Sequence, residues 1–361
     1  MLPDAITGGY PAEPSDVAWP TASWPRADVP DGVVIDHLIE AAFENGGPMA
    51  TTNSVIVVQR GRIVAERYAG ALGSFIGDPV PVTAETPLLS WSMAKTMLGT
   101  LVGLLVDEGR LTLDAAAPVA EWSQPGDIRG AITLRHLLEM RDGLAYVEDY
   151  VDGAASDVIE MLFGSGAGDT AHFTASKPLA AEPGTRFNYS SGTTNVISRI
   201  VGDLVGGETA MRQFLSERLF EPCSMHSAVP TFDEAGTFIA SSYVHATAQD
   251  FARFGLMLCR GGRAEGVQVV PEWWIDEMRT PRSIDPDDGW LYSVQTWVAD
   301  DGLGTFWCNG FEGQRIVVCP AKDLVIVRTG TTPSEQNPAL QAWQADLVAA
   351  FPLLDQTTHA S

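Results

Sequence analysis

Residues 87–111 read PLLSWSMAKTMLGTLVGLLVDEGRL and contain the strongest structural signal in the chain. The residues after Ser92 are apolar on nearly every helical face, which predicts a buried helix over Met93 to Glu108 with Ser92 in its first turn. Lys95 follows Ser92 by three residues, so its amine and the Ser92 hydroxyl share a face within hydrogen-bonding reach. Burial lowers the pKa of an amine, because the charged form loses its hydration, so we expect Lys95 to act as a base toward Ser92.

A structural interpretation of the same residues stays open from this stretch alone. Ser92 could serve only as a helix-start residue, and Lys95 could extend along the helix to water. The chain has three lysines, Lys95, Lys177 and Lys322, so a lysine inside an apolar helix is unusual here. Two further segments decide between the alternatives.

The second segment, residues 182–202, reads EPGTRFNYSSGTTNVISRIVG. Pro183-Gly184 predicts a turn, and Tyr189 precedes an amphipathic helix. A phenol at that junction, held near the lysine, would pass a proton between nucleophile and leaving group. The alternative is an anchoring tyrosine whose hydroxyl is satisfied within the fold.

The third segment, residues 306–330, reads FWCNGFEGQRIVVCPAKDLVIVRTG. Gly310 and Gly313 precede a strand, which indicates a close approach of the backbone to another group. The N–H of Phe311, beside that of Ser92, would provide the two donors that stabilise the oxyanion of a tetrahedral intermediate. The alternative is a β-bulge at the edge of a sheet.

The rest of the chain predicts strands at both ends and helices between them. Residues 1 to about 30 are rich in proline and predict an extended arm. A helix over Val33 to Phe43 and a hairpin turning at Arg60-Gly61 follow.

Near the C-terminus we expect strands over Arg315 to Cys319 and Leu324 to Arg328, then a helix with Asn337 as N-cap. The predicted helices between these ends, besides the one after Ser92, are Leu134 to Met140, Thr194 to Val205, Ala210 to Leu219 and Ala248 to Leu258.

This order predicts an α+β fold in which N- and C-terminal strands form one antiparallel sheet, flanked by the terminal helices, with an inserted, mainly helical lobe. Residues 31–361 would form a single domain, with an α/β lobe over about 31–85 and 290–361 and a helical lobe over about 86–289. The site is expected in the cleft between the lobes.

Composition excludes several functional classes. The chain has 361 residues, 45% of them hydrophobic, and its 46 acidic against 22 basic residues give a formal charge of -24. Such a surface repels phosphate backbones and anionic membranes, so neither nucleic acid nor membrane is an expected partner. A salt-adapted protein and an ordinary acidic enzyme would show the same excess of acidic over basic residues. The oligomeric state stays open, a homodimer included.

The cysteines and the N-terminus predict a cytoplasmic protein. The four cysteines, Cys223, Cys259, Cys308 and Cys319, have no CxxC spacing, which is typical of reduced thiols. The first twenty residues lack the pattern of a secretion signal, and no apolar run has membrane-spanning length. No His/Asp cluster has metal-ligand spacing, so neither a metal nor another cofactor is expected. No GxSxG surrounds any serine, which disfavours a Ser-His-Asp hydrolase.

The three segments, in this order, resemble the SxxK, YxN and KTG-type motifs of the serine β-lactamase and penicillin-binding-protein superfamily, in particular its class C-like members. Residues 132–152 and 245–262 resemble further segments of that family. The resemblance covers roughly residues 30–350. It implies Ser92 as nucleophile, Lys95 as its base partner, Tyr189 as the catalytic tyrosine and Phe311 as the oxyanion donor.

The chain departs from the penicillin-processing members at two places. Ser191 stands where they carry asparagine, and Cys308-Asn309-Gly310 stands where they carry a Lys or His first. Without that cation the charge-assisted hydrogen bond to an anionic substrate is lost, which disfavours a β-lactam. The variant motifs instead resemble 6-aminohexanoate-dimer hydrolases and class C-like carboxylesterases.

That resemblance also implies substrate contacts. Tyr150 would lie on a mobile lid and Glu148 near the amino group of the substrate, although an acidic stretch over residues 148–152 is also typical of a solvated loop. Ser191, Asn309 and Gly310 would line the substrate site.

Sequence reasoning therefore predicts a cofactor-free serine hydrolase that cleaves a small carboxylic ester or linear amide through an acyl-enzyme on Ser92. Two alternatives remain. One is a β-lactamase or D-amino-acid peptidase. The other is a non-catalytic ligand-binding or sensor module of the same fold.

Overall fold

The computed structural model describes residues 2–73, 78–150 and 156–354. The helices in these ranges are α1 (Asp36–Ala42), α2 (Met93–Asp107), α3 (Leu134–Leu138), α4 (Asp157–Phe163), α5 (Thr170–Ala175), α6 (Ser191–Val205), α7 (Glu208–Leu215), α8 (Ala248–Cys259), α9 (Glu272–Met278) and α10 (Asn337–Ala350). The strands are β1 (Thr51–Gln59), β2 (Arg62–Tyr68), β3 (Ala71–Leu72), β4 (Val80–Pro81), β5 (Leu88–Leu89), β6 (Val229–Pro230), β7 (Val244–Ala246), β8 (Arg263–Ala264), β9 (Val267–Gln268), β10 (Ser283–Ile284), β11 (Leu291–Tyr292), β12 (Trp297–Val298), β13 (Phe306–Gly310), β14 (Gln314–Cys319) and β15 (Leu324–Thr331).

The main sheet joins the two ends of the chain. Its eight strands are ordered β10-β11-β12-β13-β14-β15-β1-β2, and each neighbouring pair is antiparallel. The hairpin between β1 and β2 turns at Arg60-Gly61, and both residues have positive φ, as a two-residue hairpin turn requires. The α+β fold predicted from the sequence is confirmed.

Alternation along the central strands supplies both faces of the sheet with apolar side chains. In β1, Ile56 and Val58 join the core under the helical part of the chain, whereas Val55 and Val57 join the core under the terminal helices. α8 packs against β1, β14 and β15 on the first face, and α1 packs against α10 on the second. The sheet is therefore a buried layer between two layers of helix.

One local prediction is wrong. Asn337 is not an N-cap: a 3-10 turn over Ser334–Gln336 runs directly into α10, so Asn337 already has helical φ/ψ of -51° and -38°. The alternative interpretation of the glycines in the third segment, a bulge at a sheet edge, does not fit the structure. β13 and β14, which they join, lie inside the sheet between β12 and β15.

Residues 2–30 run as an extended arm along α8 and α9. The Arg253 side chain donates to the carbonyl of Pro20 at 2.8 Å, and Arg260 donates to the carbonyl of Ala12 at 2.9 Å. The Tyr10 hydroxyl donates to Asp276 of α9, also at 2.8 Å. Side chains of the helical part of the chain therefore hold the arm in place.

The four cysteines, Cys223, Cys259, Cys308 and Cys319, are all free thiols and all buried.

Over residues 2–73, 78–150 and 156–354, no helix has both the length and the apolar character to cross a membrane.

The packing of α2, which carries Ser92 and Lys95, can be tested at Gly103. A Cβ on Gly103 would lie 2.2 Å from the buried ring of Trp274 in α9, which cannot move aside. We expect Gly103→Ala to lower the free energy of unfolding by about 1–3 kcal/mol, the usual cost of overpacking. Chemical denaturation would measure it.

Gly202 in α6 is the matched control, because a Cβ there meets nothing within 4 Å. Gly202→Ala should be neutral or stabilising by up to about 1 kcal/mol, since alanine favours a helix over glycine. Equal effects of the two substitutions would contradict the packing described here.

Candidate active site

The N-terminus of α2 brings Ser92 and Lys95 together. Ser92 is the N-cap residue, but its side chain makes no capping hydrogen bond. Instead its Oγ accepts a hydrogen bond from Lys95 Nζ at 2.8 Å. Lys95 is 1% exposed and Ser92 6%, so the lysine does not reach water along the helix. The geometry fits a nucleophile paired with its base. It fits neither a serine that only caps the helix nor a lysine that extends to water.

Two more segments complete the surroundings of the Lys95 amine. Its Nζ also donates to Ser191 Oγ at 3.0 Å and to the carbonyl of Ser241 at 2.9 Å, so all three N–H donors have acceptors. Burial lowers the pKa of Lys95 to about 8, and the charge of Glu148 opposes that effect. The pKa of the amine therefore lies near physiological pH, so that a usable share of the amine is neutral there, as a general base requires.

Trp91, directly before the nucleophile candidate, has a strained backbone. Its φ is +45°, a left-handed conformation that is rare for a bulky side chain. Hydrogen bonds hold the residue directly before it: Ser90 N–H donates to the carbonyl of Val244 at 2.9 Å, and Ser90 Oγ accepts from the Val244 N–H at 3.1 Å. These contacts hold the sharp bend at which Ser92 is presented.

Tyr189 lies at the start of α6, as predicted. Its ring centroid is 5.0 Å from Lys95 Nζ. Burial raises the pKa of Tyr189, and the charge of Glu148 raises it further. Interactions with the side chains of Ser92 and Trp297 oppose this rise. Tyr189 is thus a neutral phenol beside both Ser92 and Lys95, where it can donate a proton.

Glu148 and Tyr150 also reach α6. Ser191 donates to Glu148 twice, through Oγ at 2.6 Å and through its N–H at 2.8 Å. The Tyr150 hydroxyl donates to the same carboxylate at 3.0 Å. Val151 and Asp152, which complete the predicted acidic loop, lie outside the described residues.

Gly310 and Phe311 meet the nucleophile segment. A Cβ on Gly310 would lie 2.6 Å from the Ser90 carbonyl, so only glycine lets β13 run this close. The Phe311 ring packs edge-on against Trp91, with 5.2 Å between centroids. Glu312 then turns the chain with a φ of +58°. The glycine thus brings the backbone at Gly310, directly before Phe311, against that at Ser90, two residues before Ser92.

Aromatic rings surround this meeting point. Tyr150 stacks on Phe311 at 4.2 Å between centroids, and Trp91 lies 6.3 Å from Tyr150 and 6.2 Å from Tyr243. We call Trp91, Tyr150, Tyr243 and Phe311 the aromatic wall. It offers apolar surface close to Ser92.

The first two positions of the third motif face opposite sides of β13. Cys308 packs into the core beneath α2, where burial raises the pKa of its thiol to about 12, so it carries no charge. Asn309 pairs across the sheet with Arg315, so the two side chains share one face of the sheet, and no hydrogen bond among the described residues links Asn309 to Ser92 or Lys95. Of the predicted substrate-lining residues, Ser191 and Gly310 contact the segments that carry Lys95 and Ser92, and a substrate contact of Asn309 stays a prediction.

Three features of the site carried no usable signal in the sequence. The Ser241 carbonyl, which accepts from Lys95, is a backbone atom distant in the chain. The positive φ of Trp91 follows from its surroundings. Arg315 is 1% exposed, and its charge lowers the pKa of Tyr189. The position of Arg315 after a glycine-rich turn could have indicated a site residue. Its burial, however, could not be predicted from the sequence.

Across residues 2–73, 78–150 and 156–354, no group of three or more His, Cys, Asp or Glu side chains could hold a metal ion.

A serine and a buried lysine one turn apart on a helix, beside an antiparallel sheet that joins both chain ends, define the serine-hydrolase-type β-lactamase fold. The beta-lactamase family matches residues 41–351, and the chain belongs to that family.

Relatives and solved structures agree with this assignment. The chain is 29% identical over 314 residues to the 6-aminohexanoate-dimer hydrolase of Paenarthrobacter ureafaciens. The aligned region covers 81% of this chain and 75% of that protein. A structure described as a 6-aminohexanoate-dimer hydrolase from Bacillus anthracis superimposes with a TM-score of 0.73 at 23% identity, over 98% of this chain and 92% of the other. A family VIII carboxylesterase superimposes with a TM-score of 0.66 at 15% identity, over 89% and 99% of the two chains.

The base role of Lys95 predicts a pH dependence. Only the neutral amine can take the Ser92 proton, so reaction of Ser92 with a fluorophosphonate should rise about tenfold per pH unit below about 8 and level off above it. Labelling rates measured by intact mass between pH 6 and pH 10 test this. A pH-independent rate would contradict it.

Lys95→Arg and Lys177→Arg form a matched pair for that measurement. Arginine stays protonated across the range, so Lys95→Arg should lose labelling at every pH. Lys177 forms its ion pair with Asp157 elsewhere, so its arginine variant should keep the wild-type profile.

Proposed function

We propose that this chain is a serine hydrolase that cleaves carboxylic esters or linear amides of small molecules through an acyl-enzyme on Ser92. The single observation that carries the proposal is the 2.8 Å hydrogen bond between Ser92 Oγ and a fully buried Lys95 amine whose pKa is lowered. A serine hydroxyl needs such a base to become a nucleophile near neutral pH.

Acylation begins when Ser92 Oγ attacks the substrate carbonyl carbon and its proton passes to the Lys95 amine. The resulting oxyanion would accept from the N–H groups of Ser92 and Phe311. Two observations support this pair: the first N–H groups of a helix lack partners within it, and Gly310, directly before Phe311, packs against the Ser90 carbonyl, two residues before Ser92.

Collapse of the tetrahedral intermediate breaks the bond to the leaving alcohol or amine. That group takes a proton from the Tyr189 hydroxyl, which Lys95 then reprotonates. Water next attacks the acyl carbon, its proton returns through the same groups, and the carboxylic acid leaves with Ser92 restored. The proposed steps use side chains and water only.

The low polarity of the aromatic wall and the lack of a cation at Cys308 favour a neutral acyl group. The aromatic wall is apolar, and the first position of the third motif is the uncharged Cys308 instead of a cation. The formal charge of -24 further opposes an anionic substrate. The names of the relatives, a 6-aminohexanoate-dimer hydrolase and a carboxylesterase, are consistent with linear amides and esters as substrate classes.

Removal of the nucleophile is the direct test. Ser92→Ala should lower turnover of p-nitrophenyl acetate and butyrate by up to about six orders of magnitude, the cost of losing a serine nucleophile. A phosphonate adduct, mapped by peptide mass, should fall on Ser92. Ser123, an exposed serine, supplies the control, and Ser123→Ala should keep both activity and adduct.

Two results would overturn the proposal. Undiminished turnover by Ser92→Ala would exclude the nucleophile. An acyl adduct on the wild-type serine that persists for hours without product would indicate a sensor module.

A substrate panel separates the hydrolase alternatives. Because no cation stands at Cys308, we expect kcat/KM for nitrocefin and for D-alanyl peptides to fall well below that for simple esters. Purified protein would be assayed with short-chain esters, linear amides, D-peptides and nitrocefin at one pH. Nitrocefin turnover comparable to ester turnover would favour the β-lactamase alternative.

A further inference from the structure

A chain of hydrogen bonds leads from the base to a carboxylate. Lys95 Nζ donates to Ser191 Oγ at 3.0 Å, and the same Oγ donates to Glu148 Oε1 at 2.6 Å. Glu148 Oε2 accepts from the Ser191 N–H at 2.8 Å. We call these three side chains the Lys95–Ser191–Glu148 relay. One hydroxyl therefore separates the base from a charged group.

The groups around Lys95 single out this carboxylate. Ser92 from its own helix, the Ser241 carbonyl from the loop before β7 and Ser191 from α6 are uncharged. The ring of Tyr189 faces the amine, and the raised pKa of the Tyr189 phenol keeps it neutral. Among the described residues, Glu148 is the one whose charge acts on the Lys95 pKa, and it opposes the effect of burial.

Both Glu148 oxygens already have donors from the protein. Besides its two bonds from Ser191, the carboxylate accepts from the Tyr150 hydroxyl at 3.0 Å. Its position is thereby fixed with respect to the start of α6. A group held in this way is suited to act on its neighbours in the protein, whatever the substrate.

We propose that Glu148 is a positioning residue, which through Ser191 holds the Lys95 amine against Ser92 and sets the pH above which that amine works as a base. The inference rests on the proposed hydrolase function and deepens it. It differs from the role that family resemblance implies for Glu148, a contact to the substrate's amino group. The two roles differ in their effect on a substrate that has no amino group.

Glu148→Gln removes the charge and keeps the size of the side chain. With p-nitrophenyl butyrate, which has no amino group, we expect the acid limb of kcat/KM to move about one pH unit lower, because a nearby negative charge favours the protonated amine. Relative to its own plateau, activity well below the midpoint should then be about tenfold higher than in wild type. The plateau itself should fall, since an amide cannot accept all three hydrogen bonds.

Two variants serve as controls. Glu148→Asp keeps the charge and should keep the wild-type midpoint. Asp142→Asn removes another buried carboxylate at the same helix, which accepts from Thr193 at 2.6 Å without acting on Lys95, and should also leave the midpoint in place. A purely structural role for Glu148 would lower the plateau without moving the midpoint.

Ser191→Ala tests the relay independently, in case Glu148→Gln does not fold. The amine loses one of three acceptors, so kcat should fall about tenfold while KM for the butyrate ester stays unchanged. An unchanged kcat would overturn the relay, as would an unmoved midpoint in folded Glu148→Gln.

A loss in Glu148→Gln confined to amino-bearing esters, seen as raised KM, would overturn the inference in favour of the substrate contact. Failure of the proposed function has a different signature. In that case Ser92→Ala would retain turnover, whatever the behaviour of Glu148→Gln.

Discussion

The burial of one amine constrains the rest of this structure. A lysine side chain removed from water is costly unless each of its donors has an acceptor, and Lys95 finds acceptors in Ser92, Ser191 and the Ser241 carbonyl. These acceptors belong to three segments that are far apart in the chain. Satisfying the amine therefore requires α2, the start of α6 and the loop before β7 to converge, and that convergence forms the candidate active site.

The sheet serves this convergence by supplying a fixed surface beside α2. Its central strands are buried on both faces, so their positions are set by packing on each side. On that surface Gly310 allows β13 to approach the Ser90 carbonyl, and the strained backbone of Trp91 turns Ser92 toward the same point. Strain and close approach are concentrated where the chemistry is proposed, and the surrounding core stabilises them.

Charge distinguishes this site from one built for anionic substrates. The position that would carry a cation is a neutral buried thiol, and the surface is strongly acidic. Besides Lys95, the site retains a positive group beside Tyr189, the buried guanidinium of Arg315 on the next strand. Nucleophile chemistry and substrate recognition are thus separable: the first depends on buried polar contacts, and the second on the aromatic wall and the local charge.

The sequence by itself determined the elements and the reactive pair. Hydrophobic periodicity predicts α2, the β1–β2 hairpin and the C-terminal strands, and the spacing of Ser92 and Lys95 alone implies their contact, because helix geometry is local. The sequence could not show that the third motif lies inside the sheet, because that depends on strands distant in the chain.

Only the tertiary structure decided the partners of the reactive pair. It joined Ser241 to the amine, placed Glu148 behind Ser191 and buried Arg315 beside Tyr189. The physical reason is that these contacts link residues far apart in the chain, whose approach is set by how helices and sheet pack and not by any local pattern.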